Sequence, residues 1–263
     1  MSRKSLTYAN YLKIDQLLCL QQPLSEPQEH DETLFIIIHQ VYELWFKLLL
    51  HEFDRLKVEL SAGNVWNALA TLKRSRMVMK TLVAQLDVLE TMTPMSFAGF
   101  RQRLESASGF QSAQFRQLEF QLGYKRPEVL RDHEANPSAH AALTRRLNEP
   151  SVVDSFYQFL VTRGCTIPQE LREKHVTRPT EPHAAVQDAL IQIYRTQPDA
   201  ATLLELMTDF DEGMQEWRYR HVKMVERTIG VNPGTGGSDG AAFLRTTLFK
   251  PVFPDLWAIR HRL

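Results

Sequence analysis

The amino-acid sequence predicts an all-α protein, and three observations carry that prediction. Apolar residues recur three and four positions apart over long stretches, which is the period of one helix face. Helix-capping and helix-ending residues flank those stretches. No sustained alternation of apolar and polar residues occurs between turn signals, so no sheet is expected. We therefore expect one domain, residues 1–263, built as a bundle of long packed helices.

Four long segments form the main set of predicted helices. Residues 32–61 have the helical apolar period, and Gly63 follows them as a stop signal. Residues 65–90 continue the pattern, with leucines and methionines between lysines and arginines. Residues 183–196 and 200–229 show the same period nearer the C-terminus. These segments are the expected body of the bundle.

Shorter helices are predicted between the long ones. Thr93 and Pro94 form a start signal, a capping hydroxyl followed by proline at the first helical position. Residues 110–122 are expected to form another helix, which a glycine closes. Ser151 and Asp154 have the spacing of a capping box ahead of an apolar run. Proline and polar residues cluster in three stretches that we expect to be surface connections: 22–31, 125–138 and 174–183.

The bulk composition limits the classes of partner. Among 263 residues, Lys plus Arg and Asp plus Glu both count 31, so the formal net charge is zero. A neutral chain gives no reason to expect nucleic acid or an anionic membrane as a partner, and it does little to oppose self-association. Two cysteines, Cys19 and Cys165, make no disulfide framework and fit a cytoplasmic protein. We expect no signal peptide and no membrane span, because the longest obvious apolar run covers only Leu34 to Ile38.

A single histidine near the C-terminus is the first candidate for chemistry. On a helix, His221 shares a mostly apolar face with Trp217 and with positions 224, 225 and 228. That placement suits a buried, hydrogen-bonded core histidine. It also suits an axial ligand to haem iron, which needs one imidazole on a rigid element with apolar surroundings. The spacing alone does not choose between these two alternatives.

Two further segments combine aromatic and polar residues at helical spacing. His39 lies one turn after Phe35 and is either a satisfied core residue or part of an apolar pocket, whereas His51 is expected at the surface. Phe97 and Arg101 are four residues apart, so a ring and a guanidinium share one face. That pair suits a carboxylate held beside an aromatic ligand, although a solvated salt bridge is the commoner fate of an arginine.

The glycine-rich stretch "GTGGSDG" (234–240) follows the predicted helix that carries the single histidine. It lacks the Gly-Lys-Ser/Thr ending of a phosphate-binding loop, and no strand precedes it as in a dinucleotide fold. The stretch is therefore either a flexible connector or a mobile loop that closes over a ligand with its backbone and the Thr235 hydroxyl.

Five motifs in order resemble the tryptophan 2,3-dioxygenase family. They are "LTYANYL" (6–12), "PLSEPQEHDETLFIIIHQVYELWFKLLLHE" (23–52), "SASGFQSAQFRQLE" (106–119), "WRYRH" (217–221) and "GTGGSDG" (234–240). The similarity extends over almost the whole chain. The resemblance implies a helical domain that encloses a haem b pocket, assembled as a homotetramer in which residues 1–20 form an arm that packs on a neighbouring subunit. It also implies insertion of both atoms of O2 across the indole C2–C3 bond of L-tryptophan, giving N-formyl-L-kynurenine.

The resemblance also assigns roles to individual residues. His221 would be the iron ligand, and His39 would lie within hydrogen-bonding reach of the indole N–H. The remaining implied contacts are with substrate (Phe35, Phe97, Arg101 and Thr235, with Tyr8 and Tyr11 of a neighbouring subunit) and with haem (Ser108 and Gly234).

Two residues depart from the pattern that the resemblance leads us to expect. Asp239 stands where a second serine is usual, and Pro233 stands where a basic or flexible residue is commoner. They leave open a relative that adds a single oxygen atom to tryptophan or a methylated tryptophan, which would be a haem-dependent monooxygenase. A non-catalytic helical scaffold or haem sensor also stays open, because each motif residue has a structural explanation as well.

Overall fold

A computed structural model describes residues 5–236 and 239–263. Within them the chain forms α-helices and short 3-10 turns and no strand, which confirms the all-α prediction. The α-helices are α1 Tyr8–Leu12, α2 Ile14–Leu17, α3 His30–Ser61, α4 Val65–Leu89, α5 Pro94–Arg101, α6 Ala113–Gln121, α7 Pro137–Leu147, α8 Val152–Thr162, α9 Gln169–Arg172, α10 Ala184–Thr196, α11 Pro198–Ile229, α12 Ala241–Arg245 and α13 Pro254–Ala258. Two residues of the glycine-rich stretch, 237 and 238, and residues 1–4 of the predicted arm lie outside the described residues.

Three long helices make the core. Helix α4 packs against both α3 and α11. Phe53 of α3 and Phe210 of α11 are buried and meet edge to face, with ring centroids 5.3 Å apart. Gly213 of α11 allows a close approach to α4, because a Cβ there would lie 3.0 Å from the Met79 Cγ. The predicted ranges for these helices are confirmed to within two residues at each end.

Helix α3 differs from the sequence expectation in one respect. By length and composition it is apolar enough to cross a membrane, although no uninterrupted apolar run reaches that length. The core helix of a soluble protein passes the same test. In this chain α3 packs against α4, α6 and α8, and its Phe53 and Leu56 are buried. Only 28% of its most apolar stretch is buried inside the described chain, so packing in the bundle uses part of the apolar surface of α3.

The predicted helix ends are confirmed where capping residues were recognised. The Thr93 hydroxyl accepts a hydrogen bond from the Ser96 N–H, and Pro94 occupies the first turn of α5. Ser151 and Asp154 make both bonds of a capping box at the start of α8. Gly63 lies in the loop after α3 and has a φ of 72°, a left-handed conformation that glycine adopts without steric cost.

Several short helices were not predicted, and two stretches differ from what was expected of them. The stretch 125–138, expected to be a connection, contains a 3-10 helix (Pro127–His133) and the start of α7. Helix α7 packs on α6 and forms a small separate core with it. Helix α6 begins later than expected, because the Ser112 side chain caps it by accepting from the Phe115 N–H. The residues just before that cap form their own 3-10 turn.

Candidate active site

A single large cavity brings most of the candidate residues together. It is lined by residues of α3, α4, α5, α6, α11 and α12, with Gly234 and Thr235 at its edge. The centres of water molecules can occupy about 240 Å³ of it, many times the roughly 10–15 Å³ that a single water needs. Its lining is mainly aromatic and aliphatic, with a few polar groups, as ligand-binding pockets usually are.

His221 projects from α11 into this cavity. Its imidazole stacks on the Trp217 indole, with ring centroids 5.2 Å apart and planes within 4°. The His221 ring borders the cavity. The surrounding protein shields the imidazole from water, and this burial lowers its pKa from 6.5 to about 4. The other predicted members of this helix face, at positions 224, 225 and 228, line the same cavity. His221 is therefore a neutral imidazole held rigidly at the wall of a large apolar space.

His39 projects from α3 into the same cavity, and its tautomer follows from one hydrogen bond. Its Nδ1 lies 2.7 Å from the carbonyl oxygen of Phe35. A carbonyl oxygen only accepts, so Nδ1 carries the proton and Nε2 keeps its lone pair. Burial lowers the His39 pKa below 6.5, against smaller opposing effects of this hydrogen bond and of Glu43. The site thus contains a second neutral imidazole, and its free nitrogen is a hydrogen-bond acceptor.

Aromatic rings from two helices form one apolar wall. Phe35 contacts the His39 ring at 4.1 Å between centroids and Phe97 at 5.9 Å. Phe100 supports both phenylalanines from behind, at 5.4 and 5.3 Å, and is fully buried. Phe35 and Phe97 border the cavity, and Phe100 does not. Flat rings at these angles suit contact with another aromatic ring.

The glycine-rich segment is tied to the edge of the cavity by two hydrogen bonds. The Arg101 guanidinium donates to the Pro233 carbonyl oxygen at 2.6 Å. The Thr235 hydroxyl donates to the Ala107 carbonyl oxygen at 2.5 Å. Gly236 packs so closely that an added Cβ would lie 2.7 Å from the Ser108 Cβ. This segment therefore lies over the cavity edge, against the end of α5 and the turn that follows it.

A polar contact positions α6 relative to the His39 helix. The Glu43 carboxylate accepts from the Ser112 hydroxyl at 2.5 Å and from the Gln114 side-chain amide at 2.8 Å. The same amide also donates to the Glu43 backbone carbonyl. Glu43 and Ser112 border the cavity. The start of α6 is thus fixed one helical turn from His39.

Eight of the ten predicted site residues border this one cavity. They are Phe35, His39, Phe97, Arg101, Ser108, His221, Gly234 and Thr235. Tyr8 and Tyr11 do not border it: both lie on α1, and their side chains are exposed. His51, which was expected at the surface, is exposed.

Comparison with known proteins finds relatives along nearly the whole chain. The family model for tryptophan 2,3-dioxygenase matches residues 1–189 and 165–263. The tryptophan 2,3-dioxygenase of Herpetosiphon aurantiacus is 56% identical to this chain, covering 99% of each protein. The enzyme of the same name from Anaeromyxobacter sp. strain K is 52% identical over 98% of this chain and 97% of its own length. The one from Bacillus thuringiensis is 39% identical over 99% and 94%.

The chain belongs to the tryptophan 2,3-dioxygenase family. Sequence reasoning did not single out the three buried charged residues of the cavity: Arg116, Glu119 and Arg218. The first two lie three residues apart on α6, which is the spacing of an ion pair on one helix face. That spacing is visible in the motif "FQSAQFRQLE", but nothing in the sequence indicates that the pair is buried.

The residues of the cavity fit a haem group. Haem needs a neutral imidazole with a free lone pair, and it needs apolar walls around the macrocycle. His221 meets the first requirement, and the aromatic and aliphatic lining meets the second. Within the described ranges, no group of three or more His, Cys, Asp or Glu side chains could hold a bare metal ion. His221 and the apolar lining thus fit the haem group on which the family depends.

Proposed function

We propose that this chain is a haem-dependent tryptophan 2,3-dioxygenase that converts L-tryptophan and O2 to N-formyl-L-kynurenine. One observation carries the proposal. Two neutral imidazoles, an aromatic wall and a guanidinium all border one cavity, in a chain that is 56% identical to an enzyme of that name. When bound, haem supplies the oxygen activation. His221 would hold it, and Ser108 and Gly234 would contact it.

The remaining residues act by placing the substrate. The rings of Phe35 and Phe97 give the indole a flat apolar surface. A rigid wall of this kind limits the orientations that a bound aromatic ring can take. Arg101, at the cavity edge, pairs with the substrate carboxylate through its planar fork of N–H donors. Because the indole ring and the carboxylate of the substrate are both held, one defined edge of the indole faces the reacting oxygen.

His39 completes the placement through its unprotonated Nε2. An indole N–H is a donor without acceptor capacity, so it needs an acceptor inside an apolar cavity. The tautomer fixed by the Phe35 carbonyl supplies one. Protonation of His39 would turn Nε2 into a donor and remove this contact, and the lowered pKa opposes that change.

Closure of the glycine-rich segment excludes water from the reacting centre. Thr235, on that segment, would contact the amino-acid end of the substrate. In the structure, the Arg101 guanidinium donates a hydrogen bond to the Pro233 carbonyl oxygen. A substrate carboxylate would have to replace that carbonyl as the acceptor of the guanidinium. We propose that binding of substrate and rearrangement of this segment are coupled for that reason.

The proposal includes an assembly and a location. Tyr8 and Tyr11 would complete the pocket of a neighbouring subunit in a homotetramer, because their rings are exposed and lie outside the cavity of their own chain. A cytoplasmic location is proposed from the low cysteine content: the sequence has two, and both are free in the structure.

The decisive experiment measures how many oxygen atoms enter the product. Reduced holoenzyme is given L-tryptophan under isotopically labelled dioxygen, and the product mass is recorded. We expect one product carrying two labelled atoms, formed without added reductant in each turnover. A product with a single labelled atom that requires a reductant or peroxide would instead establish a monooxygenase. A chain that binds haem but transforms no indole would establish a non-catalytic haem protein.

A further inference from the structure

Three arginines share one glutamate at the cavity wall. The Glu119 carboxylate of α6 lies 2.7 Å from the Arg116 guanidinium and 2.5 Å from that of Arg126. The Arg218 guanidinium of α11 approaches it to 3.8 Å. We call these four residues the arginine cluster. Three positive charges meet one negative charge in it, so the cluster carries a cationic surplus.

Two of the three arginines are buried and border the cavity. Arg116 and Arg218 are each 7% exposed, whereas Arg126 does not border the cavity. The Arg116 guanidinium lies over the Phe110 and Phe115 rings, at 5.1 and 5.4 Å from their centroids. A buried charge is costly unless it is paired, and a carboxylate divided among three guanidiniums pairs none of them fully.

The other buried carboxylate near Arg218 is already occupied. Asp211 accepts hydrogen bonds from the Val252 and Phe253 N–H groups and from the Trp257 indole. Arg218 itself donates to the Lys250 carbonyl oxygen. Burial nonetheless lowers its pKa, despite the favourable charges of Glu119 and Asp211. Among the described residues the carboxylate oxygen that pairs with Arg218 lies as far as 3.8 Å away, and Arg218 borders the cavity.

The arginine cluster lies beside the proposed iron ligand. Arg218 is three residues before His221 on α11, close to one helical turn. Arg116 is near enough for its charge to oppose protonation of the His221 ring. Arg101, by contrast, is engaged with the glycine-rich segment at the cavity edge. The two sets of guanidiniums therefore serve different parts of the cavity.

We propose that Arg116 and Arg218 bind a carboxylate group of the porphyrin, with Glu119 holding both guanidiniums in position. This inference rests on the proposed function, since it takes haem b as the occupant. Haem b carries its carboxylates on flexible propionate chains at one edge of the ring. An ion pair at that edge fixes the rotation of the macrocycle about the axis of the iron ligand, which a single imidazole cannot do.

The first test measures loss of haem from the holoenzyme. Arg116→Met and Arg218→Met remove one cavity-facing charge each while keeping an unbranched apolar side chain. Transfer of haem to excess apomyoglobin is followed in the Soret region. We expect each variant to lose haem about tenfold faster than the wild type, the size of one hydrogen-bonded charge pair. Arg126→Met is the matched control, because Arg126 contacts the same carboxylate outside the cavity, and we expect a change below about twofold.

The second test begins with the wild-type chain, so its first result does not depend on a variant that folds. Wild-type chain depleted of haem is reconstituted with the natural iron porphyrin or with its dimethyl ester, which keeps the iron and the ring but lacks free carboxylates. We expect the ester to dissociate about tenfold faster or more from the wild type. In Arg116→Met and Arg218→Met the two porphyrins should dissociate at more nearly equal rates. Arg116→Lys should restore part of the preference, because it restores the charge.

The outcomes separate this inference from its alternatives. Equal retention of both porphyrins by the wild type overturns it, as does a variant that loses both porphyrins faster by the same factor. If Arg116→Met leaves haem retention unchanged but abolishes the preference for tryptophan over tryptamine, which lacks the carboxylate, the anion belongs to the substrate and the inference is wrong. A wild-type chain that takes up neither porphyrin overturns the proposed function as well.

Discussion

At the scale of single residues, the site depends on two imidazoles that stay uncharged. Burial lowers the pKa of both His39 and His221, that of His221 to about 4. A neutral imidazole has the lone pair that an iron atom or an indole N–H requires. His51 offers a contrast, since it lies on the same helix as His39 and is exposed. Burial against apolar rings, rather than pairing with a carboxylate, therefore sets the chemistry of the two site histidines.

Replacement of the proposed iron ligand should remove haem. We expect His221→Gly to purify without a Soret band, because no other described histidine except His39 borders the cavity. Added imidazole should restore the band, since the cavity left by the side chain can admit the free ligand. His51→Gly serves as the control and should keep its haem. A His221→Gly protein that retains a full Soret band without imidazole would contradict the assignment.

The pH dependence of substrate binding should reveal the state of His39. Burial lowers its pKa below the ordinary 6.5, so protonation of the ring is shifted to lower pH than for a free histidine. Tryptophan affinity should therefore change little from about pH 8 to pH 7 and weaken as the pH falls below the ordinary range of a histidine, where protonation converts Nε2 from acceptor to donor.

An analogue of tryptophan tests the cause of that dependence. If sulfur replaces the indole N–H, the analogue has no proton to donate to His39. Its affinity, measured by titration over the same pH range, should lack the decline at low pH. The same decline for both ligands would show that another group is responsible.

The guanidinium at the cavity edge should govern recognition of the carboxylate. We expect Arg101→Ala to weaken tryptophan binding by about 10- to 150-fold, the range for hydrogen bonds to a charged group. Tryptamine has no carboxylate, so its affinity should change much less. Arg101→Lys should recover only part of the loss, because lysine keeps the charge without the planar fork. Equal losses for both ligands would remove Arg101 from the carboxylate site.

The position of a site residue could be predicted from the sequence only where helical spacing placed it on one face with another residue of the same motif. Phe97 and Arg101 lie one turn apart on a short helix, and both border the cavity as their spacing indicates. Arg116 and Arg218 could not be found this way, because they come from different helices and meet through Glu119. Burial of an ion pair depends on tertiary packing, which no local pattern reports.

At the scale of elements, the contact between the glycine-rich segment and the turn after α5 depends on the absence of a side chain at Gly236. An added Cβ would lie 2.7 Å from the Ser108 Cβ, closer than such atoms approach. We expect Gly236→Ala to displace the segment and break the hydrogen bond between Thr235 and Ala107. Tryptophan affinity should fall about fivefold or more, the effect of modest overpacking.

The same contact offers a compensating variant. Ser108→Gly removes the atoms that the new methyl group would meet, so the double variant should recover part of the affinity lost by Gly236→Ala. Haem content, read from the Soret band, should stay at the wild-type level in Gly236→Ala. Lack of any recovery would mean that the strain arises elsewhere in the segment.

Helix boundaries were predictable where caps and stop signals are explicit. Thr93 with Pro94 starts α5 as expected, and Asn136 with Pro137 starts α7 in the same way. The second signal was missed because the surrounding stretch is rich in proline and polar residues. Helix α7 is stabilised by packing against α6, which buries Leu143 and Leu147. Such tertiary support outweighs the weak local signal.

At the scale of the whole molecule, the N-terminal arm has little apolar contact with the rest of its own chain. The exposed fractions are 77% for Tyr8 and 69% for Tyr11, and several leucines of the arm are similarly exposed. Hydrogen bonds from Gln21 and to the Leu20 carbonyl tie the end of the arm to Gln40 of α3. A row of exposed apolar side chains on a tethered segment indicates a surface that binds another molecule. A second copy of the chain is the occupant that the proposed tetramer supplies.

If the arm acts on a neighbouring subunit, two inactive chains should complement each other. A chain lacking residues 1–20 has an intact cavity but no arm to offer, and an Arg101→Ala chain has an arm but a defective cavity. We expect each alone to turn over little tryptophan, and a co-refolded mixture to recover activity, because armless cavities then receive arms from their partners. Mixing Arg101→Ala chains with armless chains that also carry Arg101→Ala is the control, and it should stay inactive. Full activity of the armless chain alone, or no recovery in mixtures whose hetero-oligomers are verified by mass, would place the arm outside the active site.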